Sequence, residues 1–163
     1  IDNVKCYCLY EYDEWMKKLI YQFKGCYDYE LKDVFLEKFS DILTLKYRNF
    51  VIVPAPSFKD NDTKRGFNHV EEIFQTLRLP IIKCIQKLEK VKQSDRSFEE
   101  RTHIIDYLKL DESVDLADKN VLFVDDIFTT GSTLRACVSL IRKLKPAKIE
   151  ALVLCKTRDL DNR

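Results

Sequence analysis

The segment VLFVDDIFTTGSTL, residues 121–134, decides the fold of this chain. Its first four residues are apolar, which is typical of a strand buried on both faces of a parallel sheet. A helix is predicted from Ser132 onward, and two adjacent aspartates and the run TTGST lie between the strand and this helix. Ligands of open α/β sheets bind beyond the carboxyl ends of the strands. The segment therefore predicts an α/β protein with a ligand site after residue 124.

The run TTGST, residues 129–133, has the chemistry of an anion site. Its hydroxyl groups donate hydrogen bonds, and Gly131 allows a close approach of the backbone or a positive φ. Free N–H groups at a helix start favour an anion, and the helix dipole adds about 0.3–1 kcal/mol for an exposed charge. We interpret Asp125 and Asp126 as acceptors for neutral hydroxyl groups such as a ribose diol, because they would repel a phosphate. Helix capping is the alternative for shorter pieces of this pattern.

Three other nucleotide-site motifs are excluded by the same segment and by the glycine count. The chain has only three glycines, at 25, 66 and 131, so the G-x-G-x-x-G fingerprint cannot occur. No Gly-Lys-Ser/Thr is present, which excludes the phosphate loop of ATPases. The two aspartates are adjacent, so they do not form the spaced D-x-D pair of phosphoaspartyl enzymes.

The composition indicates one globular domain without a strong overall charge. A chain of 163 residues is long enough to bury a core, and 45% hydrophobic residues are ordinary for such a domain. Lys and Arg number 28 against 27 Asp and Glu, so any site for an anion must be local. No stretch approaches the length of a membrane-spanning helix and no signal peptide opens the chain, so we predict a cytoplasmic location.

The cysteines favour free thiols over a metal site. Only Cys6 and Cys8 are close in the sequence, and no second close pair completes a four-thiolate zinc site. Thiols in a reducing compartment are the interpretation that we favour for all six cysteines. We therefore predict no metal ion held by protein side chains alone.

Apolar periodicity divides the chain into alternating strands and helices. Strands are predicted at 4–9, 50–53, 80–88, 104–110, 121–124 and 149–154, and helices at 13–23, 29–45, 67–77 and 132–144. The polar stretches 56–66 and 90–101 are predicted as loops, the second of them mobile. This alternation predicts a mainly parallel, doubly wound sheet. We expect one domain, with residues 1–48 as an N-terminal unit and 49–163 as the α/β core.

The opening segment resembles the loop that binds 5-phosphoribosyl-1-pyrophosphate (PRPP) in type I phosphoribosyltransferases. The shared features are a strand, an acidic pair, two further residues, and then T-T-G with a small hydroxyl residue. The resemblance implies the type I fold, with helices flanking the sheet and a small N-terminal hood of helices and a strand. It also implies that Asp125 and Asp126, the predicted catalytic pair, hold the ribose hydroxyls. The residues implied for the 5-phosphate are Thr129, Thr130, Gly131, Ser132 and Thr133.

Further motifs extend the similarity over nearly the whole chain. They are, in order, VPAPS at 53–57, RGFNH at 65–69, Gln93, Arg101 and VDDIFTTGST at 124–133. Together they resemble the ComF family of late-competence, phosphoribosyltransferase-like proteins, which are tied to DNA uptake. That family usually has Gln where this chain has His69, to which we assign no catalytic role. Many members begin with a four-cysteine zinc finger; none is complete here, and the chain opens with Ile1 rather than Met, so we expect a preceding segment.

The resemblance also implies a pyrophosphate site, which requires cations and backbone donors. The residues predicted for it are Pro56, Ser57, Lys64, Arg65, Gln93 and Arg101. Residues 54–57 are predicted to form a stiff turn on the same edge of the sheet as Asp125. Arg65 is the best candidate because its planar fork matches phosphate geometry, whereas Lys64 is explained equally well as a solvated loop charge. Residues 90–101 lie where type I enzymes have a mobile flap.

Two functions follow from the resemblance. The first is displacement of pyrophosphate from C1 of PRPP by a nitrogen nucleophile, assisted by Mg²⁺ that arrives with PRPP rather than in a protein cage. Purine-salvage relatives carry Asp where this chain has Thr129, so the acceptor stays open, and no general base is selected. The second is a non-catalytic adaptor in DNA uptake that senses a nucleotide, or that binds a helicase or single-stranded DNA.

Overall fold

A four-stranded parallel sheet forms the centre of the protein. The computed structural model describes residues 3–88 and 104–157. The strands are β1 (Lys5–Glu11), β2 (Phe50–Pro54), β3 (Ile85–Lys87), β4 (Leu108–Leu110), β5 (Asn120–Phe128) and β6 (Lys148–Lys156). The main sheet has the order β1-β6-β5-β2 with parallel neighbours, and β3 and β4 form a separate antiparallel pair. The predicted α/β architecture with a mainly parallel sheet is confirmed.

Helices cover both faces of this sheet. They are α1 (Glu14–Gly25), α2 (Ser40–Tyr47), α3 (Lys59–Arg65), α4 (His69–Gln75) and α5 (Ser132–Ile141), with 3₁₀ turns at Tyr29–Asp33, Ile104–Tyr107 and Arg142–Leu144. The Asp13 carboxylate caps α1 by accepting a hydrogen bond from the Met16 N–H at 2.8 Å. Asn68 Oδ1 caps α4 by accepting from the N–H groups of Val70 and Glu71, both at 3.1 Å. A cap of this kind contributes about 1 kcal/mol to helix stability.

The core consists of two layers, one on each face of the sheet. Leu122 and Val124 of β5 belong to the layer that contains the buried side chains of α1, α2 and α4. Val121 and Phe123 belong to the layer that contains the buried side chains of α5. Neighbours along the strand enter different layers because successive side chains of a strand point to opposite faces.

The course of the chain reverses between β2 and β5. After β2 the chain passes through α3 and α4 to Ile81, which forms a parallel bridge to Ile52 on the outer side of β2. After β5 it passes through α5 to β6, on the opposite side. The carboxyl ends of β2 and β5 therefore border a topological switch point, which is where open α/β sheets bind ligands.

Some predicted elements differ in extent from the observed ones. The helix predicted at 29–45 was wrong as a single element, since the 3₁₀ turn Tyr29–Asp33 and α2 are separate. The loop predicted at 56–66 contains α3, whose sequence KDNDTKR has no apolar stripe that would signal a helix. Strand β5 continues to Phe128 instead of ending at 124, so the acidic pair lies within the strand. The predicted mobile loop at 90–101 lies outside the described residues.

The two short strands were also predicted as longer elements. The strand expected at 80–88 is reduced to β3 and the isolated bridge at Ile81. The strand expected at 104–110 is a 3₁₀ turn followed by β4. The N-terminal strand β1 lies at the edge of the main sheet, beside β6.

The cysteines are free thiols throughout. Cys84, Cys137 and Cys155 are buried, and burial raises the pKa of Cys155 to about 12. Such thiols carry little thiolate at neutral pH and are chemically inert. Within residues 3–88 and 104–157, no helix combines the length and the apolar character that crossing a bilayer requires.

Truncation of Leu122 should reveal how much stability the central strand contributes. Leu122 is 0% exposed in the middle of β5, so Leu122→Ala should lower the free energy of unfolding by about 2–5 kcal/mol through lost burial and a residual cavity. Leu45, which is 67% exposed on α2, is the control. Leu45→Ala should change the free energy of unfolding by about 0.5 kcal/mol or less. Urea unfolding followed by circular dichroism measures both. Equal effects of the two substitutions would contradict the assigned core.

Candidate functional site

Two adjoining cavities lie at the carboxyl ends of β2 and β5. The first, which we call the turn cavity, has a volume of about 110 Å³ and is lined mainly by residues 127–134. The second, the β2 cavity, has a volume of about 350 Å³ and is lined by residues 55–58 and by side chains from α1, α3, α4 and β3. Asp125, Ile127 and Thr133 line both cavities. The two cavities are therefore parts of one crevice.

The turn from Thr129 to Thr133 is held in shape by its own polar groups. Gly131 precedes α5 with a φ of 74°, a left-handed conformation that residues with a Cβ disfavour. Thr130 Oγ1 lies 2.8 Å from Ser132 Oγ, and the Arg135 guanidinium donates to the Thr130 carbonyl at 2.9 Å. In the part of the chain that the structure describes, the amides of Gly131 and Thr133 have no protein acceptor. The turn thus keeps donor groups for a ligand.

The alternation of side chains along β5 separates the two aspartates. Asp126 follows Leu122 and Val124 onto the face covered by α1 and α4, whereas Asp125 follows Phe123 onto the face covered by α5. The contacts of Asp126 with α1 and α4 agree with this assignment. The two carboxylates therefore meet different surroundings although they are neighbours in the sequence.

Asp126 is buried and committed to internal partners. Its Oδ2 accepts a hydrogen bond from Lys24 Nζ at 2.6 Å and lies 3.1 Å from His69 Nε2. Burial by itself would raise the pKa of Asp126, but the hydrogen bond from His69 and the charge of Lys24 outweigh it and hold this pKa well below its usual range. Asp126 is therefore a carboxylate at neutral pH.

Asp125 lines both cavities and has the opposite electrostatic character. Its Oδ1 accepts a hydrogen bond from the backbone N–H of Asp126 at 2.9 Å. Burial, and next to it the negative charge of Asp126, raise the pKa of Asp125 well above its usual range. The two groups therefore titrate as a coupled pair in which Asp126 gives up its proton first.

Four residues from four elements close a ring of hydrogen bonds on the wall of the β2 cavity. Lys24 Nζ binds Asp126 Oδ2, Asp126 Oδ2 meets His69 Nε2, and His69 Nδ1 lies 2.7 Å from Arg65 NH1. Arg65 Nε completes the ring by donating to the Lys24 carbonyl at 3.1 Å. A guanidinium only donates, so His69 Nδ1 is the acceptor and the proton of the neutral imidazole is on Nε2, facing the carboxylate. We call these residues the Lys24 ring.

The turn after β2 is fixed by a second network. The Ser57 hydroxyl donates to the Asp62 carboxylate, and Asn68 Nδ2 donates to Ser57 Oγ at 2.9 Å and to Asp62 Oδ2 at 3.2 Å. Asp62 Oδ1 lies 3.7 Å from Arg65 NH1, which is ion-pair range but beyond a hydrogen bond. The Ser57 side chain is thus occupied within the protein, and the network joins this turn to α3 and α4.

Comparison with known proteins agrees with this geometry. The model of the phosphoribosyl transferase domain matches residues 63–162, which include α4, β5, the turn and α5. The chain belongs to the phosphoribosyl transferase family. Its α/β architecture is accordingly the type I phosphoribosyltransferase fold that the sequence predicted.

Two curated relatives and one solved structure illustrate the range of similarity. The competence protein ComFC of Bacillus subtilis (strain 168) is 30% identical over 153 residues, which cover 91% of this chain and 63% of that protein. ComFC of Streptococcus pneumoniae (strain ATCC BAA-255 / R6) is 26% identical over 150 residues, which cover 91% and 66%. The chain thus spans less than two thirds of either relative. A glutamic acid mutant of an HPRT, made to analyse an invariant aspartic acid, is 16% identical with a TM-score of 0.50 over 83% of this chain and 72% of that one; this likeness concerns the fold.

The crevice brings together most, but not all, of the site residues predicted for this phosphoribosyl transferase domain. The predicted residues that line it are Pro56, Ser57, Arg65, Asp125, Asp126, Thr129, Thr130, Gly131, Ser132 and Thr133. Lys64 is exposed on α3 and does not line either cavity. Gln93 and Arg101 lie outside the described residues, so their predicted role in the pyrophosphate site stays a prediction.

Two cations that line the β2 cavity, Lys24 and Lys87, were not among the site residues predicted from the sequence. Lys24 lies 102 positions from Asp126, and no local pattern connects the two residues. Lys87 Nζ lies 4.4 Å from the centre of the Phe58 ring, which holds the ammonium at the cavity wall by a cation–π contact. In the described ranges, no group of three or more His, Cys, Asp or Glu side chains is arranged to hold a metal ion.

We expect isosteric amides at the two aspartates to change stability in opposite directions at pH 7. Asp126→Asn leaves Lys24 and His69 without their carboxylate, so the free energy of unfolding should fall by about 1–3 kcal/mol. Asp125→Asn removes a charge that burial disfavours, so that free energy should stay equal or rise. Urea unfolding at pH 7 measures both variants. A comparable loss in both would contradict the different surroundings of the two carboxylates.

The pKa shifts of Asp125 and Asp126 determine how the free energy of unfolding changes with pH. The lowered pKa of Asp126 contributes stability that is present above the ordinary carboxyl value of about 3.9 and is lost as the pH falls through its folded-state pKa. The raised pKa of Asp125 favours folding below about 3.9, and this advantage is lost as the pH rises through its folded-state pKa. The difference between the two variants should therefore shrink as unfolding is measured toward pH 3.

Proposed function

We propose that this chain binds PRPP and transfers its phosphoribosyl group to a nitrogen acceptor, with release of pyrophosphate. One observation carries the proposal: the two cavities meet at Asp125 at the switch point of the sheet, with free amides on one side and cations on the other. A sugar that carries a phosphate at each end matches this arrangement. Membership of the phosphoribosyl transferase family and similarity to ComFC proteins support the same reading.

The turn cavity is the proposed site of the 5-phosphate. It is lined by Thr129, Thr130, Gly131, Ser132 and Thr133, and its free amides precede a helix of ten residues. Amides at a helix start bind anions without a lysine, because their N–H groups and the helix dipole both favour negative charge. The left-handed Gly131 keeps a side chain out of the space where phosphate oxygens would approach.

The ribose is proposed to lie at the junction, with its hydroxyls toward the aspartates. Asp125 reaches both cavities, and Asp126 lines the β2 cavity. Asp126 Oδ2 is occupied by Lys24 and His69, so a ribose hydroxyl would meet its Oδ1. Neutral hydroxyl donors suit these acceptors, whereas a phosphate would be repelled.

The pyrophosphate is proposed to occupy the β2 cavity. The turn at Pro56 and Ser57 forms one wall, and Arg65, Lys24 and Lys87 supply positive charge from three other elements. The three cations outnumber the two carboxylates, so the cavity without substrate carries positive charge, which favours the entry of a polyanion with Mg²⁺. Lys64, Gln93 and Arg101 remain candidates on the strength of the ComF resemblance.

Catalysis would depend on placement and electrostatics. Pyrophosphate leaves C1 of the ribose as the acceptor nitrogen approaches, and the transition state has oxocarbenium character. Asp125 and Asp126 would hold the hydroxyls, and the cations of the β2 cavity would stabilise the charge on the leaving group. Mg²⁺ bound to PRPP supplies further neutralisation of the pyrophosphate, and the carboxylates of the aspartate pair are oxygen ligands suited to that ion. No residue that lines the crevice identifies the acceptor nitrogen or a general base for it.

Calorimetric titration with PRPP and Mg²⁺ tests the binding step. Asp125→Asn should weaken the affinity about tenfold or more, because it removes charged hydrogen bonds to the ribose. The same substitution is expected to leave stability equal or higher, so unfolding cannot explain a loss of binding. Asp41→Asn, at an exposed position on α2, is the matched control and should bind as the parent does. Unchanged affinity in Asp125→Asn would refute the proposed ribose position.

Turnover is tested by pyrophosphate release in the presence of PRPP, Mg²⁺ and a panel of nucleobases and amines. We expect release that depends on one class of acceptor and that Asp125→Asn lowers by at least about tenfold. Removal of Mg²⁺ with a chelator should abolish it. PRPP binding without release across the panel would count against an enzyme and in favour of a nucleotide-sensing module.

A module that acts in competence, in the cytoplasm, is the second candidate function, because both curated relatives are named competence proteins. A helicase or single-stranded DNA would then be its partner. Among the basic residues near the crevice, Lys83 is paired with Glu71 at 2.6 Å, so its charge is partly neutralised within the protein. A salt-sensitive affinity for single-stranded DNA that PRPP does not alter would favour this candidate.

A further inference from the structure

His69 is a member of the Lys24 ring, and the proposed transfer reaction gives it no role. We propose that His69 is a positioning residue: its imidazole accepts a hydrogen bond from Arg65 and donates one to Asp126, and so holds these two side chains in fixed relation on the wall of the β2 cavity. The inference rests on the proposed function, because it assigns Arg65 to the binding of pyrophosphate.

The geometry leaves His69 a single arrangement of its proton. Arg65 NH1 is 2.7 Å from Nδ1 and can only donate, while the Asp126 carboxylate is 3.1 Å from Nε2 and can only accept. The imidazole must therefore accept on one side and donate on the other. A second proton would place an N–H of His69 against an N–H of Arg65, and that contact would become repulsive.

Burial makes the contact with His69 important for Arg65. His69 is 8% exposed and the Arg65 side chain is also 8% exposed, so water cannot easily replace a missing partner. Among the described residues, the other polar partners of Arg65 are the Lys24 carbonyl at 3.1 Å and Asp62 at 3.7 Å, and its guanidinium lies 5.8 Å from the centre of the Phe67 ring. Loss of the imidazole acceptor would leave the outer guanidinium nitrogen with the distant Asp62 contact alone, and a buried donor without a partner is costly.

The contacts of His69 connect it to three other elements. Asp126 on β5 accepts on one side of the imidazole, and Arg65 on α3 donates on the other. Lys24 on α1 donates to the same Asp126 oxygen. The ring therefore joins α1, α3, α4 and β5 through His69.

Glutamine offers a matched replacement for this task. Its side-chain carbonyl can accept from Arg65 while its amide donates to Asp126. Leucine fills similar space but can neither accept nor donate. His69→Gln should therefore preserve the ring, whereas His69→Leu should open it.

Nitrogen-15 NMR of the full chain tests the arrangement without any ligand. The chain has two histidines, so His103→Gln identifies the His69 signals. At about pH 8 we expect a neutral imidazole protonated on Nε2, and slowly exchanging NH1 protons of Arg65 that persist in His69→Gln and are lost in His69→Leu. An imidazole protonated on Nδ1, or an Arg65 signal that His69→Leu leaves unchanged, would overturn the inference.

Titration with inorganic pyrophosphate and Mg²⁺ at about pH 8 tests the consequence for binding. His69→Gln should match the parent within about threefold. His69→Leu should bind about tenfold or more weakly at pH 8. Equal binding by His69→Leu and the parent would refute the positioning role. If the parent binds no pyrophosphate, the proposed pyrophosphate site fails, and the Arg65 signal alone then decides whether His69 positions it.

Discussion

The two-residue repeat of strand β5 is the constraint from which the site follows. Leu122 and Val124 enter one layer of the core and Val121 and Phe123 the other, and this alternation continues through Asp125 and Asp126 until Ile127, which packs on the same layer as Val124. The first polar residues that it reaches are Asp125 and Asp126. Asp126 consequently lies on the layer of α1 and α4, where it meets Lys24 and His69. Asp125 lies at the junction of the two cavities.

Electrostatics then gives the two carboxylates different tasks. Asp126 has Lys24 and His69 within hydrogen-bond distance, which outweighs the cost of burying its charge. Asp125 has a single backbone donor and a negative neighbour, so its charge is disfavoured until a ligand or a cation arrives. A substrate that brings Mg²⁺ and hydroxyl donors would supply what Asp125 lacks. Asp125 is thus the carboxylate of the crevice whose charge lacks a cationic partner among the described residues of the free protein.

The sequence predicted those features that depend on local patterns. The apolar run before Asp125 and the T-T-G motif were sufficient to place the central strand, the helix α5 and the turn between them, because each has a short-range signature. The acidic pair was assigned to a loop, since nothing in DDIF marks where pairing with β6 ends. The Lys24 ring could not be predicted, because Lys24 and Asp126 lie far from the neighbouring pair Arg65 and His69 in the chain and meet this pair only through the packing of α1 and α4 on the sheet.

The double use of Asn68 has a consequence for how this pocket would distinguish its ligands. Its carbonyl oxygen fixes the start of α4, and its amide nitrogen ties Ser57 and Asp62 together. The wall of the β2 cavity is therefore already ordered in the free protein, and little conformational entropy is lost when a ligand binds. A preorganised wall of this kind selects by fit and charge at first encounter, and it tolerates poorly any molecule that would require the wall to adapt.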